Sequence, residues 1–110
     1  MGKCDALENL AKVIDDRRKN PQDDSYTCYL FEQGINKILK KCGEENAEMI
    51  IAAKNEDNEE LANEICDLFY HILVMMNERG VKLDEVMDIL NKRAEKIGNL
   101  KNFHTSDHNS

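Results

Sequence analysis

Two long segments with helical spacing of apolar residues constrain the fold more than any other feature. The first runs from about Ile35 to Asn55 and the second from about Glu59 to Arg79. Their apolar stripes are Ile35, Ile38, Leu39, Cys42, Met49, Ile50 and Ala53, then Leu61, Ile65, Leu68, Phe69, Ile72 and Met76. Only the turn at residues 55–58 separates the segments, and such a short connection makes two helices antiparallel neighbours. The sequence therefore predicts a helical hairpin.

Three shorter segments extend the hairpin to an all-α, antiparallel bundle of four to five helices. The first spans about Asp5 to Lys19 and ends before Pro21, because the residue preceding proline is driven out of helical geometry. A segment of one or two turns covers Thr27 to Gly34. The last spans Leu83 to Lys96, and we expect Gly98 to end it.

Composition sets the class of protein. The chain has 110 residues, no Trp and one Pro, which favours a single helical domain over residues 1–98 followed by a polar tail over 99–110. The net charge of −7 argues against a nucleic-acid-binding protein, which would carry a basic surface. The four cysteines lack metal-binding spacing and are predicted to be reduced thiols of a cytoplasmic protein. No apolar run approaches the roughly 20 residues of a membrane span, so no membrane association is expected.

Five acidic residues lie in two groups, one in each long segment: Glu44, Glu45 and Glu48, then Glu64 and Asp67. Residues three or four apart share a helix face, so antiparallel packing brings the two groups to similar heights. Glu45 also falls inside an apolar stripe, where an unpaired carboxylate is costly. Carboxylate oxygens are the ligands that Mg²⁺ or Mn²⁺ prefers, so the pattern predicts a metal site. The alternative is that these residues are solvated charges on acidic helices.

Basic residues near the acidic groups are candidates for binding phosphate. Lys37 and Lys41 lie on the helix edge that carries the first acidic group, whereas Lys40 points elsewhere. Arg17 and Arg18 are weaker candidates, since cations also suit the C-terminal end of any helix.

The acidic motifs carry a family resemblance. EExxE at residues 44–48 followed by ExxD at residues 64–67 resembles the metal signature of the all-α, MazG-type nucleotide pyrophosphatases. The flanking stretches are similar to one branch of that superfamily, the phosphoribosyl-ATP pyrophosphatases of histidine biosynthesis. These stretches are DRRKNP (16–21), SYT (25–27), LFEQGINKILKKCGEE (30–45), AAKN (52–55) and EICDLFYH (64–71). The resemblance covers about residues 7–97, with mild departures at Cys42, Asn46 and Cys66.

The resemblance implies a reaction, a cofactor and a dimeric MazG-like fold. Phosphoribosyl-ATP would be hydrolysed to phosphoribosyl-AMP and pyrophosphate, the second step of L-histidine biosynthesis, in a Mg²⁺-dependent manner. Apolar residues off the main stripe, Leu73 and Val74, are expected to contribute to a homodimer.

The resemblance also implies roles for individual residues. It implies that the metal is bound by Glu45, Glu48, Glu64 and Asp67, and that the catalytic residues are Glu44 and Glu45. Glu44 is then a residue that supports the ligands, a ligand to a further metal ion, or a water activator. Phosphates would meet Lys37 and Lys41, and weaker substrate contacts would come from Ser25, Tyr26, Thr27 and His71. A single histidine on a helix flank is nevertheless more often a hydrogen-bonded structural residue.

Two alternatives remain open at this point. A house-cleaning pyrophosphatase acting on dUTP or other nucleoside triphosphates would keep the chemistry and change the substrate. A non-catalytic helical dimerisation module with solvated acids would show no response to metal.

Overall fold

The fold, described by a computed structural model for residues 5–99, consists of five α-helices. These are α1 (Ala6–Lys19), α2 (Tyr26–Gln33), α3 (Ile35–Lys54), α4 (Asn58–Arg79) and α5 (Leu83–Asn99). The described residues contain no β-strand. The prediction of an all-α bundle is therefore confirmed.

Local signals in the sequence define the helix ends. Ser25 caps α2 by accepting a hydrogen bond from the Cys28 N–H at 3.1 Å, and Asp57 caps α4 in the same way. Gly80 ends α4 in the left-handed conformation with φ of 80°, and Gly34 joins α2 to α3 with φ of 90°. These two glycines occupy backbone conformations that residues with a Cβ rarely adopt.

Helices α3 and α4 form the predicted hairpin and make the most extensive contact in the fold. The thiol of Cys42, near the middle of α3, lies 3.4 Å from the backbone oxygen of His71 in α4. Helix α1 packs on α4, while α2 contacts α1, α3 and α4. The buried apolar core comprises Ile14, Leu30, Ile38, Leu73, Val74 and Met76.

Two expectations about apolar faces are wrong. Leu73 and Val74 belong to the core, because α4 is covered by α3 on one face and by α1 on another. They therefore give no support to a dimer. Leu39 and Ile50 of the predicted α3 stripe are 46% and 56% exposed, because α4 covers only part of that stripe.

The last helix also differs from the prediction. Gly98 lies inside α5, which continues to Asn99, because a glycine within a helix lowers its stability without preventing it from forming. The expected polar tail lies outside the described residues, apart from Asn99. Leu83 and Val86 of α5 pack against the core, whereas Ile89, Leu90 and Ile97 further along are exposed. None of the helices in the described region has both the length and the apolar character that a membrane span requires.

Candidate metal centre

Three carboxylates from the hairpin converge at one point. Glu45 and Glu48 extend from α3 and Glu64 from α4, and one oxygen of each lies within 4.8 Å of the others. Glu45 is only 8% exposed, Glu64 is partly buried and Glu48 is exposed. The Oε2 atoms of Glu45 and Glu64 are buried without a hydrogen-bond partner. Buried oxygens that lack a donor suit a cation, because a cation satisfies them without supplying a proton.

The electrostatics of the cluster favour the same interpretation. Burial, the neighbouring Glu48 carboxyl and the charge of Asp67 raise the pKa of Glu45. Burial, followed by the Glu60 carboxyl and the charge of Glu48, raises the pKa of Glu64 to about 7. In each case the negative form is destabilised because it is crowded by other anions and removed from water. A divalent cation among these oxygens would offset both effects.

Asp67, the fourth predicted ligand, lies beside the cluster, outside the group of three converging oxygens. Its charge is among the causes that raise the pKa of Glu45 and of Glu64. A fifth carboxylate, Glu60, was missed in the sequence. It lies one turn before Glu64 and interacts with that side chain, and both line a cavity of about 220 Å³ with Glu48. The i, i+4 spacing was the available signal.

The two predicted phosphate-binding lysines have different neighbours. Lys41 Nζ is 3.3 Å from Glu44 Oε1 and 3.9 Å from Glu45 Oε1, so its charge lies against the carboxylates. Lys37 is one turn earlier, with Nζ 6.0 Å from the ring centre of Tyr29. The side chain of Lys40 is exposed.

Arg17 and Arg18 pair with residues other than the carboxylates of the cluster. Arg17 pairs with the neighbouring Asp16 at 2.8 Å. Arg18 pairs with Glu78 at 2.8 Å, and its guanidinium lies 4.7 Å from the ring centre of Phe31. Arg18 therefore ties α1 to α2 and α4. Both arginines also line a cavity of about 520 Å³ at the end of α1.

All four weaker substrate candidates form hydrogen bonds within the protein through their side chains. Ser25 caps α2, and the Thr27 hydroxyl bonds to the Tyr70 hydroxyl on α4. His71 is 5% exposed and has hydrogen-bond partners for both ring nitrogens, which agrees with the structural interpretation of this residue. The Tyr26 hydroxyl lies 3.1 Å from His71 Nε2, but the residue is 45% exposed.

Comparison with known proteins identifies relatives whose names state a function. A family model described as "Phosphoribosyl-ATP pyrophosphohydrolase" matches residues 7–94. The chain is 57% identical over 102 residues to the phosphoribosyl-ATP pyrophosphatase of Clostridium botulinum strain Kyoto, and 93% of each protein is covered. It is 52% identical to the protein of the same name from Clostridium novyi, with 92% of each covered. It is 50% identical to the histidine biosynthesis bifunctional protein HisIE of Lactococcus lactis, covering 92% of this chain and 48% of that protein.

Proposed function

The chain belongs to the phosphoribosyl-ATP pyrophosphohydrolase family, and on that premise we propose how its acidic hairpin carries out the reaction. The enzyme hydrolyses phosphoribosyl-ATP to phosphoribosyl-AMP and pyrophosphate in histidine biosynthesis. The resemblance seen in the sequence motifs is confirmed. The cofactor, the roles of single residues, the oligomeric state and the cellular location are the content of the proposal.

The proposed cofactor is Mg²⁺, with Mn²⁺ as a substitute. Glu45, Glu48 and Glu64 would hold it through the oxygens that lie within 4.8 Å of one another, and Asp67, about one turn after Glu64 on α4, would be the fourth ligand. The observation that carries the proposal is the pair of buried oxygens, one each on Glu45 and Glu64, that have no donor. When bound, such a cation neutralises charge on phosphate oxygens and polarises water.

The remaining residues of the site supply charge and proton transfer. Lys41 contacts both Glu44 and Glu45, so its ammonium can bind a phosphate oxygen at the edge of the cluster. Lys37, one helical turn away, would bind a more distant phosphate. Glu44 lies outside the group of converging oxygens and is half exposed. It is therefore the carboxylate that we assign to accept the proton of the attacking water.

A homodimer in the cytoplasm completes the proposal. Exposed apolar residues remain on several of the described helices, among them Leu39 and Ile50 on α3, Phe69 on α4 and Ile89 on α5. A C₂ pair would remove such side chains from water and would add walls to an otherwise open site.

The substrate is tested by measuring pyrophosphate release from phosphoribosyl-ATP, ATP, dUTP and dCTP in the presence of Mg²⁺. The proposal expects phosphoribosyl-ATP to be hydrolysed preferentially and EDTA to abolish the reaction. Equal or faster release from dUTP would favour the house-cleaning alternative. Full activity in EDTA would contradict the metal.

The ligand set is tested with Glu48→Gln and Asp67→Asn, which remove one negative charge each and preserve shape. Both variants should fold and should lose Mg²⁺-dependent turnover. Glu95→Gln, at an exposed position on α5, is the matched control and should keep wild-type activity. Near-normal turnover by either of the first two variants would remove that residue from the ligand set.

A further inference from the structure

The hydrogen bonds of His71 determine where the proton of the Tyr26 hydroxyl lies. His71 Nδ1 is 2.7 Å from the backbone oxygen of Asp67, and a carbonyl oxygen can only accept a hydrogen bond. Nδ1 therefore carries a proton, which in the neutral form of histidine is the only proton on the ring nitrogens. Nε2 is then an acceptor, and the Tyr26 hydroxyl at 3.1 Å must donate to it.

The Tyr26 oxygen is consequently left with acceptor capacity only. A hydroxyl has one proton and two lone pairs, and the proton is already used inside the protein. A phosphate oxygen of a bound nucleotide carries no proton, so it cannot complete a hydrogen bond with this atom. A sugar hydroxyl can, because it donates.

The surroundings of Tyr26 place it at the edge of the candidate metal centre. The Tyr26 hydroxyl bonds to His71, which lies about one helical turn after Asp67 on α4. The charges of Lys41, Glu45 and Glu44 also act on this hydroxyl. Tyr26 also lines an open groove of about 410 Å³ at the loop of residues 22–25, together with Asp23, Asp24 and Glu32. The three carboxylates in this groove would repel phosphate groups. Sugar hydroxyls of a nucleotide could instead donate hydrogen bonds to these carboxylates.

We propose that Tyr26 is a specificity-determining residue that accepts a hydrogen bond from a sugar hydroxyl of the substrate, and that His71 positions it for this contact. The substrate then lies with its phosphates toward Lys41 and the carboxylates and with a sugar over the start of α2. This inference rests on the proposed function, because it names the orientation of the substrate at the same site.

The test compares Tyr26→Phe with Tyr70→Phe by steady-state kinetics on phosphoribosyl-ATP. Tyr26→Phe should raise KM by about 2- to 12-fold, the change expected for one neutral hydrogen bond, with kcat within about 2-fold of wild type. Tyr70→Phe breaks the neighbouring bond to Thr27, which also joins α2 to α4, and is the matched control. It should lower the melting temperature and leave KM unchanged. Equal KM values for Tyr26→Phe and wild type would overturn the inference, as would an equal rise in KM for the control.

Substrate analogues lacking one sugar hydroxyl at a time identify the contacted group. With the correct analogue, wild type and Tyr26→Phe should have the same KM, because the hydrogen bond is absent from both complexes. If every analogue preserves the difference, Tyr26 does not bind a sugar hydroxyl and the inference fails.

The role of His71 is tested with His71→Leu alone and combined with Tyr26→Phe. His71→Leu should raise KM as Tyr26→Phe does, and the double variant should match the single variants, since both changes remove one contact. Multiplied effects on KM would overturn the positioning role. Wild-type enzyme that released no pyrophosphate from phosphoribosyl-ATP would overturn the proposed function and this inference with it. Active enzyme whose KM is insensitive to Tyr26→Phe would overturn the inference alone.

Discussion

Replacing Glu45 by Gln should stabilise the metal-free protein and inactivate the enzyme. Glu45 is 8% exposed, its Oε2 has no donor, and burial and neighbouring anions raise its pKa. Gln has nearly the same shape, carries no charge and can donate from its amide to Glu48. Leaving a buried polar group unsatisfied costs about 1–3 kcal/mol, so we expect the free energy of unfolding to rise by about 1–2 kcal/mol.

The expected change is large enough to measure by thermal unfolding in EDTA. For a domain of this size each kcal/mol moves the melting temperature by about 4–8 °C, so Glu45→Gln should melt at least about 4 °C higher. Addition of Mg²⁺ should raise the melting temperature of wild type much more than that of the variant, because only the state that binds the ligand is stabilised. Turnover should fall by at least the roughly 10- to 100-fold that follows loss of groups supporting a metal ligand.

Glu44→Gln is the control for this experiment. The Glu44 carboxylate is half exposed and its ion pair is with Lys41, so its neutralisation should change stability by no more than about 0.5 kcal/mol. A lower melting temperature for Glu45→Gln in EDTA would show that the buried carboxylate is stably accommodated without metal. Unchanged turnover would show that Glu45 is not a ligand. Either result would refute the reasoning.

Lys41→Met and Lys37→Met should lower kcat/KM, the former by about one to two orders of magnitude for a lost charge-assisted contact, while Lys40→Met should have little effect. Steady-state kinetics decides this, and a damaging Lys40→Met would contradict it. Because the pKa of Glu64 is raised from 4.5 to about 7, the folded metal-free protein holds a proton that the unfolded chain releases. Its stability should therefore fall as pH rises from about 5 to 8, and Mg²⁺ or Glu64→Gln should flatten that dependence in thermal unfolding. Light scattering should give about twice the chain mass of 12.7 kDa, and Phe69→Glu should shift the value toward the monomer; a wild-type monomer at micromolar concentration would exclude the dimer.

The ends of the helices could be predicted to within a few residues because they depend on local chemistry. Pro21, Ser25 and Gly80 act through backbone geometry and a single hydrogen bond, which the neighbouring residues determine. The prediction for Gly98 was wrong, because a glycine permits a helix to end but does not force it to, and α5 continues to Asn99.

The pattern of burial could be predicted less well, because it depends on which helices lie on each side. Periodicity shows that α4 has an apolar face, but not that α1 covers a second face and buries Leu73 and Val74. It likewise does not show that Leu39 and Ile50 remain exposed when α4 covers the other part of α3. Burial of these side chains depends on tertiary packing, which the apolar periodicity of a single helix does not show.

The carboxylate cluster was predictable because it needs only helix spacing and a short turn. Helix periodicity and the short turn between α3 and α4 together bring Glu45, Glu48 and Glu64 to one point, without any contribution from the other helices. The link from His71 to Tyr26 was not predictable in this way, since the two residues are 45 positions apart and meet only when α2 crosses α4.

The buried residues that flank Glu45 explain how the hairpin tolerates so many like charges. Ile38 and Ala52, each about two turns away along α3, are 0% and 4% exposed. Fully burying one large aliphatic side chain contributes about 1.5–3 kcal/mol, so apolar layers above and below the acids can offset their repulsion. The carboxylates are then held close together before any cation arrives, and metal binding does not have to be coupled to folding. It follows that Ile38→Ala should lower the melting temperature more than removal of Mg²⁺ from the wild type does, whereas turnover should depend on Mg²⁺ entirely.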